Sequence, residues 1–226
     1  MIGGSPQARA QFIRDNTRLL PVPHAREIAL HVADDSTALW MKTEEELGEI
    51  GLPPPFWAFA WAGGQALARY VLDNPELVRG RRVLDFATGS GLVAIAAAKA
   101  GAAHVVASEI DAYAIEAAAI NASANGVCLD TVLADVPGLS AYAAGTFDVV
   151  LAGDVSYERD MAARVTDWLA MHAAGGALVL IGDPGRSYLA RDRLEAVATY
   201  KVPVTRDLED NEIKVTSVWR FPDAGR

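Results

Sequence analysis

The feature that most constrains the fold is a glycine-containing turn between two apolar runs. Residues 83–91 read Val-Leu-Asp-Phe-Ala-Thr-Gly-Ser-Gly, and Leu92–Ala100 is rich in alanine. The pattern predicts a strand that ends near Asp85, a tight loop, and a helix that begins after Gly91. Such a turn presents backbone N–H groups and a helix N-terminus to a ligand. We expect Gly89 and Gly91 to let that ligand approach the backbone, because glycine has no Cβ.

Asp85 discriminates between two kinds of ligand for this turn. A carboxylate beside the loop repels a phosphate group and attracts a cationic amine. The loop therefore favours the aminoacyl end of S-adenosylmethionine over the pyrophosphate of a dinucleotide. Residues Gly89–Ala94 nevertheless satisfy the dinucleotide pattern G-x-G-x-x-G/A, with Glu109 near the expected distance. A nicotinamide-dependent oxidoreductase thus stays open as an alternative function.

Strands and helices alternate through the middle of the chain, which predicts a doubly wound, mostly parallel α/β sheet with right-handed crossovers. The predicted strands are residues 82–86, 104–108, 131–134, 147–152 and 177–182. The predicted helices are residues 6–20, 42–50, 65–73, 92–100, 112–124, 160–173 and 188–198. Residues 27–32 are a further candidate strand, and residues 202–207 and 212–221 predict an antiparallel C-terminal hairpin. We divide the chain into an N-terminal extension (residues 1–60), expected to form the substrate rim, and a main domain (residues 61–226).

Composition excludes several classes of protein. The net charge of −9 argues against an enzyme that grips bare nucleic acid. No apolar run reaches the roughly 18–20 residues that span a membrane. Cys128 is the only cysteine and the histidines lack metal-ligand spacing, so we expect no metal. Arginines near the start faintly resemble a transit peptide, but an ordinary surface helix and a bacterial cytoplasmic location are the preferred interpretation.

Acidic side chains follow the predicted strands, at the edge where open α/β sheets bind ligands. These residues are Asp85, Glu109, Asp135, Asp154 and Asp183. A carboxylate at Glu109 can accept both hydroxyls of a ribose, and one at Asp135 can accept the exocyclic N–H of adenine. Asp154 and Tyr157 flank the same edge and suit an amine substrate, which Asp154 can orient and Tyr157 can hydrogen-bond. The alternative for each acid alone is a helix cap or a turn residue.

Several segments carry a family resemblance over nearly the whole chain. They are residues 12–17, the tryptophan–glycine segment 56–67, the pair Asp154 and Tyr157, residues 182–186 and residues 216–221. The chain resembles the class I, seven-stranded S-adenosylmethionine-dependent methyltransferases, and within them the protein-lysine group with an Asp-x-x-Tyr motif. It is most similar to the lysine methyltransferases of the electron transfer flavoprotein beta subunit and their bacterial relatives.

The resemblance implies a role for each site residue. The methionyl end of the cofactor is assigned to Asp85, Ala87, Thr88, Gly89 and Gly91. Glu109 is assigned to the ribose, Asp135 to the adenine, Trp61 to the cofactor wall, and Asp154 and Tyr157 to the substrate lysine. Many relatives have glycine in place of Ala87 and proline in place of Ala62.

The resemblance also implies a partner, with alternatives. The expected protein substrate is the electron transfer flavoprotein beta subunit, and bacterial relatives extend the expectation to a ribosomal stalk protein. We expect neither nucleic acid nor a membrane as a partner. A small-molecule amine methyltransferase would share every cofactor residue, and a non-catalytic binding module would keep the fold but tolerate loss of Asp154.

Overall fold

A seven-stranded sheet forms the centre of the computed structural model, which describes residues 5–33, 54–204 and 212–222. The strands are β1 (Arg18–Val22), β2 (Ala25–Val32), β3 (Arg82–Phe86), β4 (His104–Glu109), β5 (Asp130–Leu133), β6 (Val149–Gly153), β7 (Leu178–Asp183), β8 (Glu195–Pro203) and β9 (Ile213–Arg220). The order across the sheet is β5-β4-β3-β6-β7-β9-β8, and β1 pairs with β2 separately. Strand β9 is antiparallel to both neighbours, whereas the other pairs of the seven-stranded sheet are parallel. The separate pair of β1 and β2 is antiparallel. The predicted sheet and its antiparallel C-terminal hairpin are thus confirmed.

Helices cover both faces of this sheet. They are α1 (Pro6–Asn16), α2 (Ala62–Asp73), α3 (Leu92–Lys99), α4 (Ala112–Ala124) and α5 (Arg159–Ala174). Successive strand residues point to opposite faces, so Val83 packs in the core that contains α2 and α3. Its neighbour Leu84 packs in the core that contains Trp168 of α5. The central strands are therefore apolar on both sides, as parallel strands buried between helices require.

Two sequence predictions about secondary structure are wrong. Residues 188–198 do not form a helix, because Glu195–Pro203 is strand β8, whose residues pair with β9 along its length. Pairing across the sheet outweighs the weak helical preference of Glu195–Ala198. The first helix ends at Asn16, and the residues after it form β1. The helix predicted over residues 42–50 lies outside the described residues.

The N-terminal segments pack against α4, the helix that follows Glu109. Ile13 of α1 is fully buried in a cluster with Trp57 and Phe59. In β2, the backbone N–H of His31 donates to Asn121 Oδ1 of α4 at 2.7 Å. Residues 5–33 are thereby fixed to a helix of the main sheet, while their role as a substrate rim stays a prediction. Over the described ranges, no helix is both long enough and apolar enough to cross a membrane.

Candidate active site

The carboxyl ends of β3, β4 and β6 surround a cavity of about 360 Å³. Small-molecule sites in proteins occupy roughly 300–1,000 Å³, so the cavity is large enough for a cofactor. The structure brings most of the predicted site residues onto its wall: Trp61, Ala87, Gly89, Glu109, Asp135, Asp154 and Tyr157. The remaining three, Asp85, Thr88 and Gly91, lie behind that wall.

Asp85 is buried beneath the glycine loop and organises it. Its Oδ2 accepts hydrogen bonds from Thr88 Oγ1 at 2.5 Å and from the backbone N–H of Ala94 at 3.0 Å. Burial raises the pKa of Asp85 to about 7, although these two hydrogen bonds oppose the rise. Since Ala94 lies in the first turn of α3, Asp85 caps this helix from the preceding strand.

The loop itself has left-handed backbone conformations, and its two predicted glycines serve different purposes. Ala87 has φ 52°, in a region that favours glycine, which explains the glycine of many relatives there. A Cβ on Gly89 would meet nothing within 4 Å, so Gly89 leaves the backbone open to the cavity, as expected. A Cβ on Gly91 would lie 3.0 Å from Ala118 Cα of α4. Gly91 therefore permits close packing of two helices rather than approach of a ligand.

Glu109 joins the ends of β3 and β4. Its Oε2 accepts the backbone N–H of Gly89 at 3.1 Å, and its Oε1 accepts the N–H of Ile110 at 2.8 Å. Burial raises the pKa of Glu109, and these hydrogen bonds oppose the rise. The carboxylate retains lone pairs on the cavity side, which suits hydroxyl donors such as those of a ribose.

Asp135 lies at the exposed rim and is already paired. Arg164 donates to both of its oxygens, at 2.8 Å and 3.2 Å, in a bidentate ion pair. Each carboxylate oxygen can accept more than one hydrogen bond, so this pair leaves capacity for an amino group of a ligand. Asp135, the predicted partner of the adenine amino group, thus lies at the cavity. Its ion pair with Arg164 was not evident from the sequence.

Asp154 connects three distant parts of the chain. Its backbone φ is 56°, unusual for a residue other than glycine, and its side chain is nearly fully buried. Its Oδ2 accepts the backbone N–H of Gly64 at 3.0 Å, and its Oδ1 accepts Nη2 of Arg186 at 3.1 Å. Burial raises the pKa of Asp154 to about 6, whereas Arg186 lowers it and Asp183 raises it further.

Glycines make this arrangement possible. A Cβ on Gly63 would lie 2.2 Å from the carbonyl oxygen of Gly182 and 2.5 Å from Oδ2 of Asp154. Both distances are far inside normal contact, so the start of α2 can touch β7 and Asp154 only because this residue has no side chain. The tryptophan–glycine segment of the sequence therefore sets the position of Asp154.

Aromatic rings border the mouth of the cavity. The Phe56 ring centroid is 6.0 Å from that of Trp61 and 5.8 Å from that of Tyr157. The indole Nε1 of Trp61 donates to the carbonyl oxygen of Phe56 at 2.8 Å. Tyr157 is 52% exposed, and partial burial raises the pKa of its hydroxyl. These three residues form an aromatic rim at the side of the cavity where Asp154 lies.

Sequence reasoning missed two residues of this site. Arg186 was noted only as part of the family segment 182–186, yet it contacts Asp154 directly. Phe56 was noted only within an aromatic segment, yet it contributes to the rim. Both segments were visible in the sequence, but nothing local indicated which of their side chains enter the cavity.

The residues present fit S-adenosylmethionine. Gly89 leaves the backbone open to the cavity, and the carboxyl groups of Asp85, which is buried, and Glu109, which is half-buried, lie beside the loop, where they suit a cationic ligand. The open loop and the acids together favour a sulfonium- and amine-bearing ligand over a pyrophosphate.

Comparisons with known proteins agree with this geometry. The family model "Ribosomal protein L11 methyltransferase (PrmA)" matches residues 65–175. The electron transfer flavoprotein beta subunit lysine methyltransferase of Danio rerio is 35% identical over 228 residues, which cover 96% of this chain and 85% of that protein. Its counterpart in Rattus norvegicus is 38% identical over 172 residues, which cover 74% and 67% of the two chains.

A solved structure shows the same fold. Magnesium protoporphyrin IX methyltransferase (ChlM) from Synechocystis PCC 6803, solved with bound S-adenosylmethionine, superposes with a TM-score of 0.53 over 84% of this chain and 99% of that chain. At 15% identity this similarity concerns the fold alone. The two relatives show that the chain belongs to the electron transfer flavoprotein beta subunit lysine methyltransferase family, within the class I S-adenosylmethionine-dependent protein-lysine methyltransferases.

Proposed function

We propose that this enzyme transfers methyl groups from S-adenosylmethionine to lysines of the electron transfer flavoprotein beta subunit. The observation that carries the proposal is that a single cavity joins Glu109, at the cofactor end, to Asp154 and Tyr157 beside an aromatic rim. The names of the relatives support the choice of substrate, since two of them are lysine methyltransferases of that subunit.

The cofactor end of the cavity would bind the donor through the β3–β4 side. When bound, S-adenosylmethionine supplies a methyl group on a positively charged sulfur. Glu109 would accept hydrogen bonds from the ribose hydroxyls, and Asp135 would accept one from the adenine amino group. Asp85 and the loop from Ala87 to Gly91 would orient the methionyl end, and Trp61, at the start of α2, would form part of the cofactor wall.

At the other end, Asp154 and Tyr157 position the lysine. A lysine side chain with an ordinary pKa of ~10.4 is almost wholly protonated at pH 7, and its deprotonation costs about 4–5 kcal/mol. The carboxylate of Asp154 orients the amine, and the hydroxyl of Tyr157 hydrogen-bonds it. In-line displacement needs little further acid–base chemistry, so positioning supplies much of the rate acceleration.

The substrate has a second candidate. The family model that matches residues 65–175 is named for ribosomal protein L11, which favours a ribosomal stalk protein as an additional substrate. Both candidates share the chemistry at Asp154 and differ only in the protein surface that docks.

Methyl transfer from labelled S-adenosylmethionine distinguishes the candidates. Purified electron transfer flavoprotein and purified ribosomal protein L11 are incubated separately with the enzyme, and modified lysines are located by mass spectrometry. We expect label on beta-subunit lysines. Label on L11 alone would replace the first proposal with the second. If neither is labelled, transfer to free amines would identify a small-molecule enzyme, and calorimetry with S-adenosylhomocysteine would show whether the cofactor site is functional.

A further inference from the structure

Arg186 is fixed against the wall of the cavity by three contacts. Its backbone N–H donates to Asp183 Oδ1 at 2.7 Å, and its guanidinium Nη2 donates to Asp154 Oδ1 at 3.1 Å. Its Cζ lies 5.8 Å from the centroid of the Trp61 ring, in a cation–π contact. The side chain is 25% exposed and that of Asp154 is 10% exposed, so their interaction is only weakly screened by water.

The groups around Asp154 are unequal in their effect on its charge. The N-terminus of α2, through Gly64, and the guanidinium of Arg186 favour the carboxylate. Asp183, on the neighbouring strand β7, opposes it. Tyr157 and Glu158 follow Asp154 on its own loop, and Glu109 faces the same cavity from β4. Arg164 also lines the cavity, but its guanidinium is paired with Asp135. Arg186 is the cation in direct contact with Asp154, so the ionisation of Asp154 depends on Arg186.

This dependence matters for the substrate. An uncompensated carboxylate raises the pKa of a lysine beside it, and a protonated lysine has no lone pair with which to attack a methyl group. A carboxylate and a guanidinium that form an ion pair have a net charge of zero together, so the pair does not raise the pKa of the lysine in this way. It can still accept a hydrogen bond from the amine through its remaining lone pairs.

We propose that Arg186 is a positioning residue for methyl transfer: it keeps Asp154 ionised as a hydrogen-bond acceptor and offsets its charge, so that the substrate lysine binds there as the neutral amine. The lysine ammonium releases one proton to water before transfer. The amine nitrogen then forms the new N–C bond while the S–C bond of the donor breaks, and the sulfur keeps that electron pair. The methylated ammonium loses its proton to water after transfer.

The first test does not require a substrate. Aspartate carboxyl groups are labelled with ¹³C and titrated by NMR in the wild type, Arg186→Met and Arg186→Lys, and the Asp154 signal is assigned with Asp154→Asn. We expect the Asp154 midpoint to rise by about one pH unit or more in Arg186→Met, because a cation is lost. In Arg186→Lys it should stay near the wild-type value. An unchanged midpoint in Arg186→Met would overturn the proposal, and Arg186→Gln replaces the methionine variant if that variant does not fold.

The second test uses the pH dependence of kcat/KM, and it rests on the proposed lysine transfer. We expect Arg186→Met to lose about fivefold at pH 6, where a one-unit rise of the Asp154 midpoint lowers the ionised fraction from about one half to about one tenth, and to approach wild-type activity near pH 9. Arg186→Lys should keep the wild-type profile, and S-adenosylhomocysteine should bind all three proteins comparably. A loss of equal size at every pH would assign Arg186 a merely structural role. A wild type inactive on the flavoprotein would contradict the proposed substrate, while the NMR titration would still decide the role of Arg186.

Discussion

The two ends of the cavity are held together by different kinds of contact. At the cofactor end, Asp85 binds the N–H of a residue nine positions further along, and Glu109 binds the N–H of the next residue and that of Gly89, 20 residues earlier. At the transfer end, Asp154 binds Gly64, 90 residues earlier, and Arg186, 32 residues later. Much of the cofactor end is therefore assembled from two strands that are consecutive in the chain, β3 and β4, and the loops that follow them. The transfer end exists only when α2, β6 and β7 are already packed together.

Among these variants, Asp154→Asn should show the largest difference between its effect on the transfer end and its effect on the cofactor end. The amide can still accept one hydrogen bond from Gly64 or Arg186, so the fold should be retained, but the charge that orients the amine is lost. We expect kcat/KM to fall by about 100-fold or more, the range for loss of a positioned acid–base group. Calorimetry should show nearly unchanged affinity for S-adenosylhomocysteine. Full activity in this variant would remove Asp154 from the mechanism.

This contrast explains what could be predicted from the sequence. The β3 strand, the glycine loop and the acid at Glu109 form a local pattern, and the structure places them at one cavity. Arg186 and Phe56 were missed because their contacts with the site are long-range, and no spacing rule joins residue 154 to residue 186. The strand β8 was predicted as a helix for a similar reason, since its partner β9 decides its conformation.

Gly63→Ala should damage the transfer end through packing alone. The added methyl group would lie 2.2 Å from the carbonyl oxygen of Gly182, in a contact between two backbones that cannot simply rotate away. Overpacking of this kind costs about 3 kcal/mol or more in unfolding free energy, as measured by urea denaturation. Gly64→Ala is the matched control, because its nearest neighbour would be 3.8 Å away and the N–H to Asp154 is kept. Equal stability of the two variants would show that α2 can shift without cost.

Asp85→Asn tests the cofactor end through the pH dependence of the unfolding free energy. The folded-state pKa of Asp85 is about 7, above its ordinary value of 3.8, so the folded protein binds the extra proton between these values. Its contribution to stability is therefore present at low pH and is lost as the pH rises from about 4 to 7. Asparagine does not titrate. We expect the unfolding free energy of the variant, relative to wild type, to rise by about 4 kcal/mol from pH 4 to pH 8.

The same variant should bind S-adenosylhomocysteine about tenfold more weakly at pH 8, because the charge that attracts the cofactor amine is removed. Two outcomes would contradict these expectations: a stability difference that does not vary with pH, and an unaltered dissociation constant. The first would mean that Asp85 titrates as an ordinary aspartate, and the second would remove it from cofactor binding.

Glu109→Gln should weaken cofactor binding without altering the transfer end. Replacement of a charged acceptor by a neutral one costs about 1.5 kcal/mol, close to tenfold in the dissociation constant of S-adenosylhomocysteine. Asp130→Asn on β5 is a suitable control, because that carboxylate pairs with His104 outside the cavity. A pH profile of kcat that moved with Glu109→Gln would show that the two ends are electrostatically coupled.

Arg164→Met should have the smallest effect. Arg164 and Asp135 are each about half exposed, and exposed ion pairs contribute about 0–1 kcal/mol. We expect the unfolding free energy to fall by less than about 1 kcal/mol, with still less effect at 1 M salt. S-adenosylhomocysteine affinity should change less than about fivefold, since 1 kcal/mol corresponds to roughly fivefold. Arg193→Met, which breaks the exposed pair with Asp167, is the control for stability alone.

A tenfold loss of affinity specific to Arg164→Met would show that Asp135 depends on a partner 29 residues away. The cofactor end would then depend on this pair as well as on the contact between Glu109 and Gly89, and the contrast between the two ends would no longer hold.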